Sequence, residues 1–343
     1  MSDSNAEVRL FCTAPQSTDH ESGAEFLDRV VTVSGWCEAA GFEGMLIYAS
    51  NRFVDPWMVA QKMLESTERL CPFVAVQPIS MHPYTVAKKV ASLAYAYDRK
   101  LYLNMIAGGF KNELSALGDE TPHDERYDRL TEYTEVILAL LSTSGPVSYD
   151  GKYYQLTNVT LAPALPEYLM PGICVSGSSE AGMAAATRLG ATAIEVPSSD
   201  DDFTTPDEIR QDAGIRIGIV AREEDAVAWE VAYDRFPDDA RGQIMQKMAN
   251  KASDGRWYNK VSESETDGGP GISPYWLAPF RNFQSFVPYL VGGYDEVSES
   301  LTRYIRAGFT MYVVDMPTEH EDVVNTGAVF RLAAENASHI TAG

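Results

Sequence analysis

Short apolar runs alternate along the chain with stretches whose apolar positions recur every three to four residues. The runs at 8–14, 44–50, 71–78, 101–109, 172–178, 191–197, 215–221 and 311–317 read as eight strands. Helical periodicity fills the intervals, at 24–42, 55–67, 82–97, 124–142, 180–190, 222–236, 239–252, 292–309 and 322–337. Strands that are apolar on both faces and separated by helices predict a parallel sheet covered on both sides. The count fits an α/β fold of the (β/α)8 barrel type with insertions, within one domain spanning 1–343; an open doubly wound sheet is the alternative.

Two segments break the rhythm. Residues 147–161 predict a β-hairpin, because Asp150-Gly151 between β-rich flanks is a turn signal. Residues 253–289 are rich in Gly, Pro, Ser and aromatics, including Trp257, Tyr258, Tyr275, Trp276, Phe280 and Tyr289. They read either as a mobile lid insertion over an apolar ligand or as a loop packed on its own barrel.

Charge narrows the partners. Lys and Arg number 27 against 49 Asp and Glu, a formal net charge of -22. That disfavours nucleic acid and anionic membrane, whose affinity comes largely from Lys and Arg. No apolar run is long enough to span a bilayer. The start, MSDSNAEVRLF, carries no signal-peptide pattern, and the four cysteines lack metal-type spacing. The expectation is a cytoplasmic protein with reduced thiols and no metal site.

In a barrel, function lies at the C-terminal ends of the strands. The turn Ser176-Gly177-Ser178-Ser179 follows the fifth strand and opens a helix. A helix N-terminus carries partial positive charge and unpaired N–H groups, so this turn is a candidate phosphate site; an ordinary serine cap is the alternative. Tyr127, near another helix start, could reach the same ligand or simply be packed. No G-x-G-x-x-G, G-x-S-x-G or H-E-x-x-H is present. Side chains this poor in nucleophile–base pairs point to a cofactor.

The ordered set LNMIAGGFKNELSALGDETPHDERYDRLTEYTEVILALL, YDGKYYQL and PGICVSGSSEAGMAAATRLGATAIEVP resembles the bacterial luciferase-like flavin-dependent monooxygenases. The alkanesulfonate monooxygenase-like branch is the nearest group. GMLIYASNRFVDPWMVAQKML, RIGIVAREEDAVAWEVA and LVGGYDEVSESLTRYIRAGFTMYVV extend the resemblance over most of the chain. It implies a (β/α)8 barrel that takes FMNH2 from an NAD(P)H:flavin reductase. A flavin C4a-peroxide would then oxidise a small organic substrate by hydroxylation, N-oxidation or Baeyer–Villiger insertion. The resemblance places the FMN phosphate at Tyr127, Ser176, Gly177, Ser178 and Ser179, and the flavin along Ala49, Ser50, Gln77 and Asn104. Relatives are commonly dimers or tetramers, so a homo-oligomer is expected.

Departures from the branch are informative. Its strand-7 Arg-x-His reads Arg216-Ile217-Gly218 here, its cysteine falls at Phe53, and its tyrosine falls near Met316. Arg216 therefore leads the catalytic candidates, with His20 and Arg281 behind it. A less polar substrate than a sulfonate is implied. An F420-dependent oxidoreductase on the same barrel and a flavin binder without turnover are the alternatives.

Overall fold

The computed structural model describes residues 8–177, 179–199, 213–252, 261 and 268–338. Each expected strand forms with shifted ends; most are shorter than expected, whereas β9 is longer and β12 begins two residues earlier. In chain order come β1 (Arg9–Thr13), α1 (Gly23–Ala39), β2 (Gly44–Ile47), α2 (Pro56–Ser66), β3 (Cys71–Val76), α3 (Pro83–Tyr97) and β4 (Tyr102–Met105). Next are α4 (Lys111–Ala116), α5 (His123–Ser142), the hairpin β5 (Val147–Asp150) and β6 (Gln155–Val159), β7 (Gly172–Ser176), α6 (Glu180–Leu189) and β8 (Thr192–Glu195). The remainder is β9 (Ala213–Arg222), α7 (Asp225–Arg235), α8 (Ala240–Ala252), β10 (Tyr275–Trp276), α9 (Ala278–Arg281), β11 (Tyr289–Gly293), α10 (Tyr294–Arg306), β12 (Phe309–Val314) and α11 (His320–Ser338).

Ten strands follow the order β10-β11-β9-β12-β1-β2-β3-β4-β7-β8, and β9 also pairs with β8. The eight strands expected from sequence thereby close into a (β/α)8 barrel with flanking helices. The chain divides into two compact units, residues 14–35 with 44–193, and residues 1–13, 36–43 and 194–343.

In the first unit, β2, β3, β4 and β7 run parallel. Leu46, Phe73, Val74 and Leu103 on them are fully buried, each stabilising the fold by about 2 kcal/mol. Helix starts follow their capping signals. Asp55 accepts from the Trp57 N–H at 2.9 Å ahead of Pro56, and His82 Nδ1 accepts from the Tyr84 N–H at 3.2 Å ahead of Pro83. The hairpin is antiparallel as expected. Its turn runs over four residues, Gly151 N–H donating to the Tyr154 carbonyl at 3.0 Å. A carboxylate from outside the hairpin organises that turn. Glu132 of α5 accepts from the backbone N–H groups of Lys152, Tyr153 and Tyr154 at 3.0, 2.8 and 2.6 Å.

In the second unit, β9 is ten residues long and changes partners along its length. Its first half pairs with β12 and β8, and its second half with β11. Strands β10 and β11 lie in or beside the segment expected to be irregular. Their brevity and Gly/Pro content hid them, but Trp276 and Tyr289 pack with Trp229, Val220 and Val291 in a buried cluster. Of the proposed 253–289 lid, Trp257 and Tyr258 lie outside the described residues, whereas Tyr275, Trp276, Phe280 and Tyr289 are buried. No described helix is long and apolar enough to cross a membrane.

A buried ionic junction ties α11 to β9 and α7. Asp322 lies 3.1 Å from Arg222 and 2.9 Å from Arg235, and also accepts from the Thr318 and Glu319 N–H groups at 3.1 and 3.2 Å. Burial would raise its pKa, but the two guanidinium groups prevail and hold it below the ordinary aspartate value.

Two stability tests follow from these anchors. Glu132→Ala strands three backbone donors and is expected to cost roughly 2–4 kcal/mol in urea unfolding. Glu125→Ala, which removes an exposed 3.5 Å pair with Lys152, is expected to stay within about 0.5 kcal/mol. Because the folded pKa of Asp322 is depressed, its contribution is complete above the ordinary value of 3.8 and is lost as pH falls below it. Asp322→Asn is therefore expected to lower stability at neutral pH and to flatten the acid limb of a melting-temperature profile.

Candidate active site

The clearest candidate site is built entirely within the first unit, at the C-terminal ends of β4 and β7. Asn104 and Ser176 are adjacent because the two strands pair in parallel register, Asn104 opposite Cys174. The Ser176 hydroxyl donates to Asn104 Oδ1 at 2.8 Å. Ser179 then caps α6, its Oγ accepting from the Gly182 N–H at 3.1 Å. Between them the chain turns at Gly177, whose φ is 153°. Ser178 lies outside the described residues.

Tyr127 of α5 meets this turn. A Cβ built on Gly177 would stand 2.2 Å from the Tyr127 hydroxyl oxygen, so any other residue would push the phenol away. Gly182 is equally constrained, its Cβ position lying 2.9 Å from the Gly177 carbonyl oxygen. Tyr127 is buried, and burial raises the pKa of its phenol, which the neighbouring Ser179 hydroxyl partly offsets. The phenol therefore stays protonated at neutral pH and keeps a proton to donate. Its ring is braced edge-on by His123, 5.2 Å between centroids.

This assembly offers an anion the helix N-terminus of α6 together with neutral hydroxyls of Tyr127 and Ser179, while the Ser176 proton is held by Asn104. Two features suit a phosphate. The turn approaches the phenol too closely for any side chain. The donors are uncharged, so they act at short range within a strongly acidic protein. Ser179 also caps the ten-residue α6, as the ordinary serine-cap alternative expects.

The other expected flavin-lining residues stand at the ends of their own strands. Ala49 and Ser50 follow β2 and are half-buried. Ser50 donates to Glu113 Oε1 of α4 at 3.1 Å, a partner that sequence reasoning missed because α4 itself was not expected. Gln77 follows β3 and leans on Gly108, whose Cβ would lie 2.7 Å from Gln77 Nε2. The catalytic candidates are scattered. His20 is exposed in the turn before α1. Arg216 on β9 and Arg281 in α9 are half-buried and belong to the second unit.

Asp315, just after β12, was not among the candidates read from the sequence. Its carboxylate accepts from the hydroxyls of Thr13, Ser285 and Tyr289 at 3.2, 2.7 and 2.9 Å. Burial and the Asp315 charge together push the Tyr289 phenol pKa well up. The legible signal was the pairing of Thr13 and Asp315 at adjacent strand ends.

The family comparison agrees with this architecture. Residues 6–311 match the model of the luciferase-like monooxygenases. The chain is 30% identical to the 4-(gamma-L-glutamylamino)butanoyl-[BtrI acyl-carrier protein] monooxygenase BtrO of Niallia circulans, over 94% of this chain and 96% of that one. The chain belongs to the luciferase-like monooxygenase family and is an enzyme of the monooxygenase class. Among solved structures, its fold is similar to the oxygenating constituent of 3,6-diketocamphane monooxygenase from Pseudomonas putida in complex with FMN. That similarity has a TM-score of 0.66 at 16% identity, covering 96% of this chain and 98% of that one. The fold is also similar to an F420-dependent secondary alcohol dehydrogenase, with a TM-score of 0.60 at 12% identity, covering 95% and 99%.

The close approach at Gly177 generates a direct test. If this turn holds the phosphate of a flavin, Gly177→Ala is expected to weaken FMN binding by at least about tenfold in a fluorescence-quenching titration. Gly145→Ala, at a position with open space around it, is expected to leave binding within about twofold.

Proposed function

We propose that this chain is the oxygenating component of a two-component system. It takes FMNH2 released by a separate NAD(P)H:flavin reductase and puts one oxygen atom of O2 into a small organic substrate. The observation that carries this reading is the Tyr127–Gly177–Ser179 turn beside the Asn104–Ser176 pair, a close cluster of neutral polar groups at a helix start. Tyr127, Ser176, Gly177, Ser178 and Ser179 would hold the phosphate. Asn104, Gln77, Ala49 and Ser50 would lie along the ring system. Reduced flavin, when bound, supplies the electrons that activate oxygen.

The chain's own part is binding and proton control. The Tyr127 phenol keeps its proton near neutral pH and donates it as a hydrogen bond rather than releasing it. Arg216 is the candidate to fix a substrate carboxylate or stabilise developing negative charge, a task that suits the fixed donor fork of arginine. His20 and Arg281 are retained as weaker catalytic candidates. Similarity to BtrO, named for an acyl-carrier-protein substrate, adds acyl thioesters to the substrate classes worth testing. A homodimer or homotetramer in the cytoplasm completes the proposal.

A second reading has one specific support, the fold similarity to the F420-dependent dehydrogenase. A cradle of neutral donors accepts either cofactor's phosphate, so the two are separated by binding. Anaerobic titration with FMNH2, FMN and reduced F420 is expected to show preference for FMNH2. Mixing the FMNH2 complex with oxygenated buffer is expected to return oxidised flavin in two phases. A single phase at the rate of free flavin, or preference for F420, would replace this proposal with hydride transfer.

A further inference from the structure

Strand register decides which side chains share a face at the ends of β1, β12 and β9. The Cys12 Sγ lies 3.1 Å from the Cys37 Sγ of α1, so Cys12 points to the helix layer. Successive strand residues alternate, so Thr13 points the other way. Cys12 pairs with Val314, and Val314 with Ile217. Asp315 and Gly218, one residue further along, therefore share the face of Thr13. The Asp315 N–H donating to the Ile217 carbonyl at 3.1 Å continues the pairing to that level.

Gly218 leaves its side-chain space to a neighbour. A Cβ there would stand 2.3 Å from Tyr289 Cε2, because the Tyr289 ring fills the position. The ring is fixed from behind by Phe236, 4.8 Å between centroids. Its hydroxyl reaches Asp315 at 2.9 Å, beside the hydroxyls of Ser285 and Thr13. An ionised carboxylate offers about four acceptor sites, and three hydroxyls fill three. Those donors are neutral, and the cation that shares the Asp315 cavity, Arg235, is paired with Asp322 at 2.9 Å. Asp315 stays partly exposed, and the net charge of -22 adds a field that draws cations.

We infer that Asp315 binds a cationic nitrogen of the substrate, an ammonium or a guanidinium, and that Tyr289 is its positioning residue, seated in the space Gly218 vacates. This deepens the oxygenase reading by naming a substrate group, and rests on that reading only in calling the ligand a substrate.

The test uses ligand-observed NMR on the full chain with n-butylammonium, n-butanol and n-butyrate as probes. The unaltered protein is expected to bind butylammonium about tenfold more tightly than butanol. Asp315→Asn is expected to abolish that preference. Tyr289→Phe keeps the ring and loses only the hydroxyl, and is expected to reduce the preference about threefold. Equal binding of ammonium and alcohol by the unaltered protein, tighter binding of butyrate, or a preference that survives Asp315→Asn would overturn the assignment. Should Asp315→Asn fail to fold, an unchanged preference in Tyr289→Phe overturns it instead. FMN titration of the same samples separates the two readings. Flavin binding without ammonium preference removes this inference alone, and ammonium preference without flavin binding removes the oxygenase reading alone.

Discussion

The tyrosine hydroxyl that lies where any side chain at position 177 would begin is the constraint on which the site depends. Only glycine lets α5 and the start of α6 approach so closely, and that approach brings Tyr127, Ser179 and the α6 N-terminus to one place. Asn104 orders the other side by holding Ser176, and Gly182 keeps the first turn of α6 tight against Gly177. The result is a concentration of N–H and O–H donors, with the buried Arg126 guanidinium near Tyr127.

That composition resolves an apparent conflict in the sequence. A chain with a net charge of -22 would repel a free anion at long range. Backbone dipoles and hydroxyls act only at contact, where geometry rather than net charge decides. The same acidic field favours a cationic group, and the partly exposed carboxylate of Asp315 is arranged to receive one. In the proposed reading, neutral donors serve the cofactor and a carboxylate the substrate, dividing the two tasks by chemistry.

The barrel was legible because its eight strands are apolar on both faces and are separated by periodic helices. The Ser/Gly turn was legible because a strand, small polar residues and a helix follow in order. Other features depend on contacts that no local pattern encodes. β11 is short and glycine-rich, and it becomes a strand only because the second half of β9 needs a partner. α4 spans six residues, too few for a periodic signal, so the bond from Ser50 to Glu113 stayed hidden. Tyr289 read as one aromatic among many in an irregular segment. Its role emerges only when it fills the space at Gly218, a residue seventy-one positions earlier in the chain.

The most direct measurement compares FMN with riboflavin by isothermal titration calorimetry at low and high salt. If the Gly177 turn binds a phosphate through neutral donors, FMN is expected to bind at least about a hundredfold more tightly than riboflavin. That advantage is expected to persist as salt rises, because no exposed charge pair carries it. Equal affinities, or an advantage that collapses with salt, would contradict the account.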